Sequence, residues 1–370
     1  MKNKNHYKNE SEGIEGSYFN FFLRLVFLGI GLGVISGTLL KIININNIGN
    51  NISDTQFINP KKKGISEKAN KEKLSYLRNR SRSLHTSKNQ NIIELSEKWQ
   101  KLAESKKDLK ASAYLLLIDK KEYAEFQPNL KLSAASSIKI AVLVALLEMI
   151  DSGHIRWNEE LKLTSDVIGG EAGWMAYQKL GTSFPTYEVA TEMIRISDNT
   201  ATNLLIKRIG GIEEINRKFK SLGMYQTHIS MLLPDLGGTN KTTAKDLADL
   251  LAAVDRGYIL SQRTRDLFRE VMSTSTSNRL IPGGLLKGLN GTNSEPDYNL
   301  MIKGYKVFNK TGDIGIAYAD AALIQLPNNT RAVAGFIVEG PFNDPRSAQL
   351  IRDMSAAMAS FLNTPNKPFQ

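Results

Sequence analysis

The chain has no cysteine among its 370 residues. Disulfides, thiolate nucleophiles and cysteine-held metals are therefore excluded. Histidine is nearly as scarce: four residues, His6, His85, His154 and His228, none paired at metal-ligand spacing. They read as structural or surface residues, and no metal or other cofactor is implied. Unbalanced charge is also missing from most of the chain. Residues 1–90 hold 15 Lys/Arg against 6 Asp/Glu, and the remaining residues hold 33 against 31. The formal charge of +11 thus describes the N-terminal segment. The larger part lacks the clustered basic residues of a nucleic-acid footprint, so no nucleic-acid partner is expected. A hydrophobic content of 41% supports a real core, and the length allows one large domain or two ordinary ones.

One long apolar run exists. Leu25–Leu40 carries no charge, and Tyr18, Phe19, Phe21, Phe22 and Leu23 precede it around Arg24. The zone 18–40 approaches the roughly 20 residues a bilayer-spanning helix needs. Lys2, Lys4, Lys8 and Arg24 lie on its N-terminal side and only Lys41 lies close on the other. That asymmetry keeps residues 1–17 cytoplasmic and places the chain beyond residue 40 on the extracytoplasmic side. No small-residue cleavage site comes after the run. The reading is a single-pass signal-anchor in the cell membrane; the competing one is a cleaved signal peptide with release to the periplasm. Residues 41–90 are rich in Asn, Lys and Ser and read as a solvated basic linker.

Residues 91–366 read as one folded domain, expected to be monomeric. Residues 93–106 form a polar helix with an apolar stripe. Residues 136–152 are apolar almost all round, which predicts a buried helix stopped by Gly153. Helical periodicity returns at 186–209 and 244–254, and Asp344-Pro345 opens a last helix. Strand signals sit at the two ends: 112–118 with a return at 121–126, then an antiparallel meander over YKVFNK, IAYADAALIQL and RAVAGFIVEG. Strands, then helices, then strands and a helix make an α+β pattern. One sheet is built from both ends, with a helical insert between them.

Three short motifs stand out. Ser136 is the one serine in the chain followed three residues later by a lysine, Lys139. Helical geometry puts the two on one face. An amine held against apolar neighbours loses solvation and basicity, and can take the proton of a serine hydroxyl. The helix start adds unpaired N–H groups suited to an oxyanion. Alone, S-x-x-K is common, and such a lysine can simply reach out to water. Ser197-Asp198-Asn199 lies between two helical stretches and can present a hydroxyl and an amide to a cleft, or merely cap a helix. Lys310-Thr311-Gly312 ends a strand. Its glycine allows close approach, while lysine and threonine suit a substrate carboxylate; a plain strand turn with a surface lysine is the bland reading.

In this order, S-x-x-K, S-D-N and K-T-G form a known set. Over about residues 95–365 the sequence resembles the penicillin-recognising serine hydrolases, most of all the class A β-lactamases. The resemblance implies a five-stranded antiparallel sheet flanked by N- and C-terminal helices, beside an all-helical subdomain, with the site between them. It implies Ser136 as the acylated nucleophile and Lys139 as its base or proton relay. Ser197 and Asn199 would line the cleft, and Lys310, Thr311 and Gly312 would meet the substrate carboxylate. The N–H groups of Ser136 and Asp313 would hold the oxyanion. Trp174 falls where the family often has an aromatic wall, although a core tryptophan fits equally. The implied substrate is a β-lactam or a peptidoglycan stem peptide.

The class A glutamate of E-x-x-L-N has no counterpart: HISMLLPDLGGTNKTTAKDL contains no glutamate. Asp235 is the carboxylate left to activate a deacylating water, or else a turn residue between Pro234 and Gly237. The stretch LKGLNGTNSEPDYNLMIKG reads as an insert that lengthens a hairpin near the cleft mouth. Arg279 could add charge for a carboxylate. The expected activity is β-lactam hydrolysis, slowed by the missing glutamate. A D-alanyl-D-alanine peptidase and a non-catalytic penicillin-binding module are the alternatives.

Overall fold

The computed structural model describes residues 89–291 and 295–362. The expected anchor at 18–40, the residues before it and nearly all of the linker lie outside the described residues. Among the described residues no helix is long and apolar enough to cross a membrane.

In chain order the elements are β1 (Gln90–Asn91), α1 (Ile93–Glu104), β2 (Lys110–Leu117), β3 (Glu122–Phe126), β4 (Leu132–Ser133), a 3-10 turn (Ala135–Ile138) and α2 (Lys139–Asp151). Next come β5 (Glu160–Lys162), β6 (Ser183–Pro185), α3 (Thr186–Arg195), α4 (Asn199–Ile209), α5 (Gly211–Ser221), β7 (Lys241–Thr242), α6 (Ala244–Asp255) and α7 (Gln262–Met272). The last are α8 (Ile281–Gly288), α9 (Pro296–Ile302), β8 (Lys306–Asp313), β9 (Ala317–Gln325), β10 (Arg331–Glu339) and α10 (Pro345–Leu362).

The main sheet runs β1-β3-β2-β10-β9-β8. The expected five antiparallel strands are there, built from both ends of the chain. A sixth strand is added: β1 lies parallel to β3, its backbone tied by Gln90 N–H to Lys121 O at 3.0 Å. Two residues carry no alternation, so the sequence did not announce it. It starts the domain inside the stretch read as linker.

Strand periodicity divides the core. Tyr114, Leu116 and Ile118 face the helical subdomain, while Ala113, Leu115 and Leu117 face the terminal helices. On the terminal-helix face, the Trp99 indole donates to Met354 O at 2.8 Å and meets Phe336 edge-on at 5.3 Å. On the other face lies α2, buried from Lys139 through Leu147 as its all-round apolar sequence requires. Truncating one of its leucines to alanine costs about 2–5 kcal/mol.

The described residues of the stretch read as a hairpin insert fall mainly in two helices instead. α8 and α9 pack on the terminal-helix face, where Leu286, Leu300 and Tyr305 join α10. Glycines there look like loop residues, but Gly288 is helical because α10 comes too close for a side chain. A Cβ on it would stand 2.3 Å from Ala356 O.

Candidate active site

Ser136 sits in the 3-10 turn that leads into α2. Three residues per turn place it in line with Lys139. It is half-buried between fully buried neighbours, and its hydroxyl makes no hydrogen bond to a described residue. Ala135 before it is held at φ +45°, a strained setting for an alanine. A brace maintains it. Glu339 Oε1 accepts from Ser133 N and Ser133 Oγ, each at 2.6 Å, and from Lys241 Nζ at 3.1 Å. Burial pushes the Glu339 carboxyl up, but these donors outweigh it and hold it below the ordinary glutamate range.

Lys139 is fully buried. Burial first, then the nearby charge of Lys310, lowers its pKa well below that of an ordinary lysine, with Asp198 opposing. The expected direct pairing with Ser136 is not what the structure shows. Nζ reaches Ser197 O at 2.5 Å, Ser197 Oγ at 3.0 Å and Asn199 Oδ1 at 2.8 Å. It donates to the two carbonyl oxygens. Ser197 Oγ is the one partner able to donate back when the amine gives up its proton.

The turn that offers these atoms is also strained, with Ser197 at φ +64°. Asp198 caps α4: its Oδ1 accepts from Ala201 N at 2.8 Å, and its Oδ2 accepts from Trp174 N at 2.8 Å and Met175 N at 2.9 Å. The capping role expected of an S-D-N turn thus falls to the aspartate, which leaves Ser197 and Asn199 to the lysine.

β8 forms the opposite wall and is the free edge of the sheet. Ile314 N donates to Ala317 O, so Gly312 and Lys310 are the residues that hydrogen-bond to β9. Thr311 and Asp313 alternate with them and turn their N–H and C=O groups off the edge. Lys310 Nζ takes the Thr311 carbonyl at 2.7 Å. Gly312 crosses directly over the serine turn, so close that a Cβ on it would stand 2.6 Å from the Ser136 nitrogen. Lys310 is fully buried, and burial lowers its pKa to about 8 despite Asp320. Asp313 Oδ1 accepts from Gly315 N at 2.8 Å, which fixes the turn after the strand.

One dipeptide joins the two walls. Thr276 donates through N–H and Oγ1 to Arg195 O, at 3.1 and 2.8 Å, just before the Ser197 turn. Ser277 O accepts from Asn309 Nδ2 at 2.7 Å and from Thr311 Oγ1 at 3.3 Å on β8. Below it Asp320 is fully buried and accepts from Asn309 and from Ile281 N at 2.9 Å. Burial pushes its carboxyl up to about 7. Asn309, Asp320, Thr276 and Ser277 lie outside every motif, and no local pattern pointed to them.

The side chains of two other expected residues are engaged by their own surroundings, and that of a third is free of described partners. The Trp174 indole donates to Glu192 Oε2 at 2.7 Å and packs edge-on against Phe184 at 5.7 Å, so its ring serves the subdomain's own packing. Asp235 is 4% exposed and organises its turn. Its Oδ1 accepts from Thr239 N and Oγ1 at 2.9 and 3.0 Å, and its Oδ2 from Asn240 N at 2.6 Å. Arg279 is exposed and pairs with no described residue.

Comparison with known proteins agrees with this arrangement. A family model described as the β-lactamase enzyme family matches residues 94–362. The solved structure of PBP-A is 37% identical, covering 74% of this chain and 97% of that one with a TM-score of 0.68. A β-lactamase of Bacillus licheniformis is 23% identical over 74% of this chain and 86% of its own length. The ROB-1 β-lactamase of Haemophilus influenzae is 26% identical over 45% of this chain, which spans about half of that relative, 53%. Serine, buried lysine, S-D-N turn and K-T-G edge strand all lie within the matched region, and the chain belongs to the β-lactamase enzyme family.

Proposed function

We propose that the chain is acylated on Ser136 by β-lactams and releases the acyl group slowly. The observation that carries this reading is the buried Lys139, held by Ser197 and Asn199 beside the Ser136 turn. Ser136 Oγ attacks the lactam carbonyl carbon, and the C–N bond breaks. The serine proton passes to Lys139 and, through Ser197, ends on the released nitrogen. Charge developing on the carbonyl oxygen meets the N–H groups of Ser136 and Asp313. Lys310 and Thr311 take the substrate carboxylate.

Slow release follows from Asp235. It is the one carboxylate in the loop 228–240, and the turn's own donors engage both of its oxygens. Such a group is badly placed to activate water. A leucine-to-glutamate variant of PBP-A, 37% identical to this chain, is described as an acyl-enzyme complex with penicillin G. That supports the acyl-enzyme step. The same engagement of Asp235 favours a second reading, a D-alanyl-D-alanine peptidase acting on peptidoglycan stem peptides. An anchor at 18–40 would hold the site outside the cytoplasmic membrane, where both substrate classes occur.

Intact-mass spectrometry of the full-length protein with benzylpenicillin, followed in time, tests this. An adduct lasting for hours, absent from Ser136→Ala, is expected. An adduct that vanishes in seconds with product accumulating would mean efficient hydrolysis by another base. No adduct, or an adduct on Ser136→Ala, would sink the assignment.

A further inference from the structure

We propose that Asp320 and Asn309 are positioning residues that keep the Thr311 hydroxyl a donor toward the substrate carboxylate. The inference rests on the acyl-transfer reading above. Asn309 and Thr311 stand two apart on β8, and Asp320 is the β9 residue opposite Thr311. The Asn309 Nδ2 is surrounded by acceptors: Ser277 O at 2.7 Å, Asp320 Oδ1 and Oδ2 at 3.0 and 3.1 Å, and Thr311 Oγ1 at 3.4 Å. Asp320, with its carboxyl pushed up to about 7 by burial, is ionised on the alkaline side of that value; there it only accepts, and it sets the amide nitrogen rather than the oxygen in this position.

The consequence reaches Thr311. Its oxygen faces an N–H donor, so its own proton is left to be given away. At rest that proton lies between Ser277 O, at 3.3 Å a long contact for a hydroxyl donor, and the Asp320 carboxyl opposite, whose ionised form the hydroxyl also stabilises. A carboxylate arriving in the cleft is the better acceptor, because hydrogen bonds to charged groups are the stronger ones. If the Asn309 amide turned over, its oxygen would claim the Thr311 proton and the substrate would lose a donor. Asp320 prevents the turn without touching the substrate. In Asp320→Asn the new amide must use its oxygen for Ile281 N, and its nitrogen then opposes that of Asn309, which drives the turn.

The test uses the full-length protein, benzylpenicillin and benzylpenicillin methyl ester, with acylation rates read by intact mass. The acid-to-ester ratio should fall about tenfold or more in Asp320→Asn, as expected for one lost hydrogen bond to a charged group. Thr311→Val should show a similar fall, and the double variant should fall no further. Asn309→Ala provides the same readout if Asp320→Asn does not fold. Equal losses on acid and ester would mean a merely structural role and overturn the inference. Full additivity in the double variant would also overturn it, since Asp320 would then act elsewhere, for example through Lys310. If the wild-type protein takes neither compound, the acyl-transfer reading itself fails and takes this inference with it.

Discussion

Gly312 passes so close to Ser136 that no side chain fits between them. A Cβ on Gly312 would stand 2.6 Å from the Ser136 nitrogen and 2.8 Å from the Ala135 Cβ. Gly312→Ala must therefore push the edge strand away from the serine turn and separate the two oxyanion donors. Penicillin labelling should fall at least a hundredfold, by analogy with loss of one such donor. Stability should fall by about 1–3 kcal/mol through overpacking. Labelling kinetics beside a thermal melt separate the two effects; unchanged labelling would show that the crossing is not needed.

Lys139→Met removes the amine but keeps an apolar stem in the buried position. Acylation should slow by orders of magnitude. The variant also strands Ser197 O and Asn199 Oδ1, so unfolding free energy should change by only a few kcal/mol either way. Stopped-flow acylation together with urea denaturation checks this. A normal acylation rate would remove Lys139 from the proton path.

Lys310 sets an alkaline limit. Its ammonium, with a pKa lowered to about 8 by burial, loses charge as pH rises through that value. Acylation by a carboxylate-bearing substrate should fall there, and Lys310→Arg should move the fall upward. The stability effect has the opposite direction. Between about 8 and the ordinary lysine value the unfolded chain binds more protons than the folded one, so this lysine makes stability rise with pH across that window. Lys310→Met should flatten that slope in urea titrations from pH 8 to 10.

Asp235→Asn decides between base and turn residue. If the carboxylate only gathers Thr239 and Asn240, the lifetime of the acyl-enzyme stays as in wild type. The melting temperature then drops, consistent with a loss of about 1–3 kcal/mol. A longer-lived adduct at unchanged stability would instead give Asp235 a part in deacylation.

The site was legible where its chemistry is local. Ser136 and Lys139, the S-D-N turn and the K-T-G strand each occupy a few consecutive residues on strongly patterned elements, and the structure gathers them at one cleft. The all-round apolar α2 and the terminal meander were legible for the same reason. What was missed depends on distant neighbours. Gly288 reads as a loop residue until α10 is set against it. Asn309 reads as an ordinary strand residue until Asp320 and Ser277 surround it. The amphipathic helices α5 and α7 were passed over. The direct Ser136–Lys139 pair was expected from spacing alone, and spacing could not show that the Ser197 turn takes every polar contact of the amine.

The dipeptide Thr276-Ser277 has a mechanical consequence. Thr276 is tied to the helix end before Ser197, and Ser277 to the strand that carries Thr311. Consecutive Cα atoms lie about 3.8 Å apart across a trans peptide. The two walls are thus joined through one peptide unit and the hydrogen bonds on either side of it. Moving the strand that carries Thr311 away from the helix end before Ser197 therefore has to break one of these hydrogen bonds.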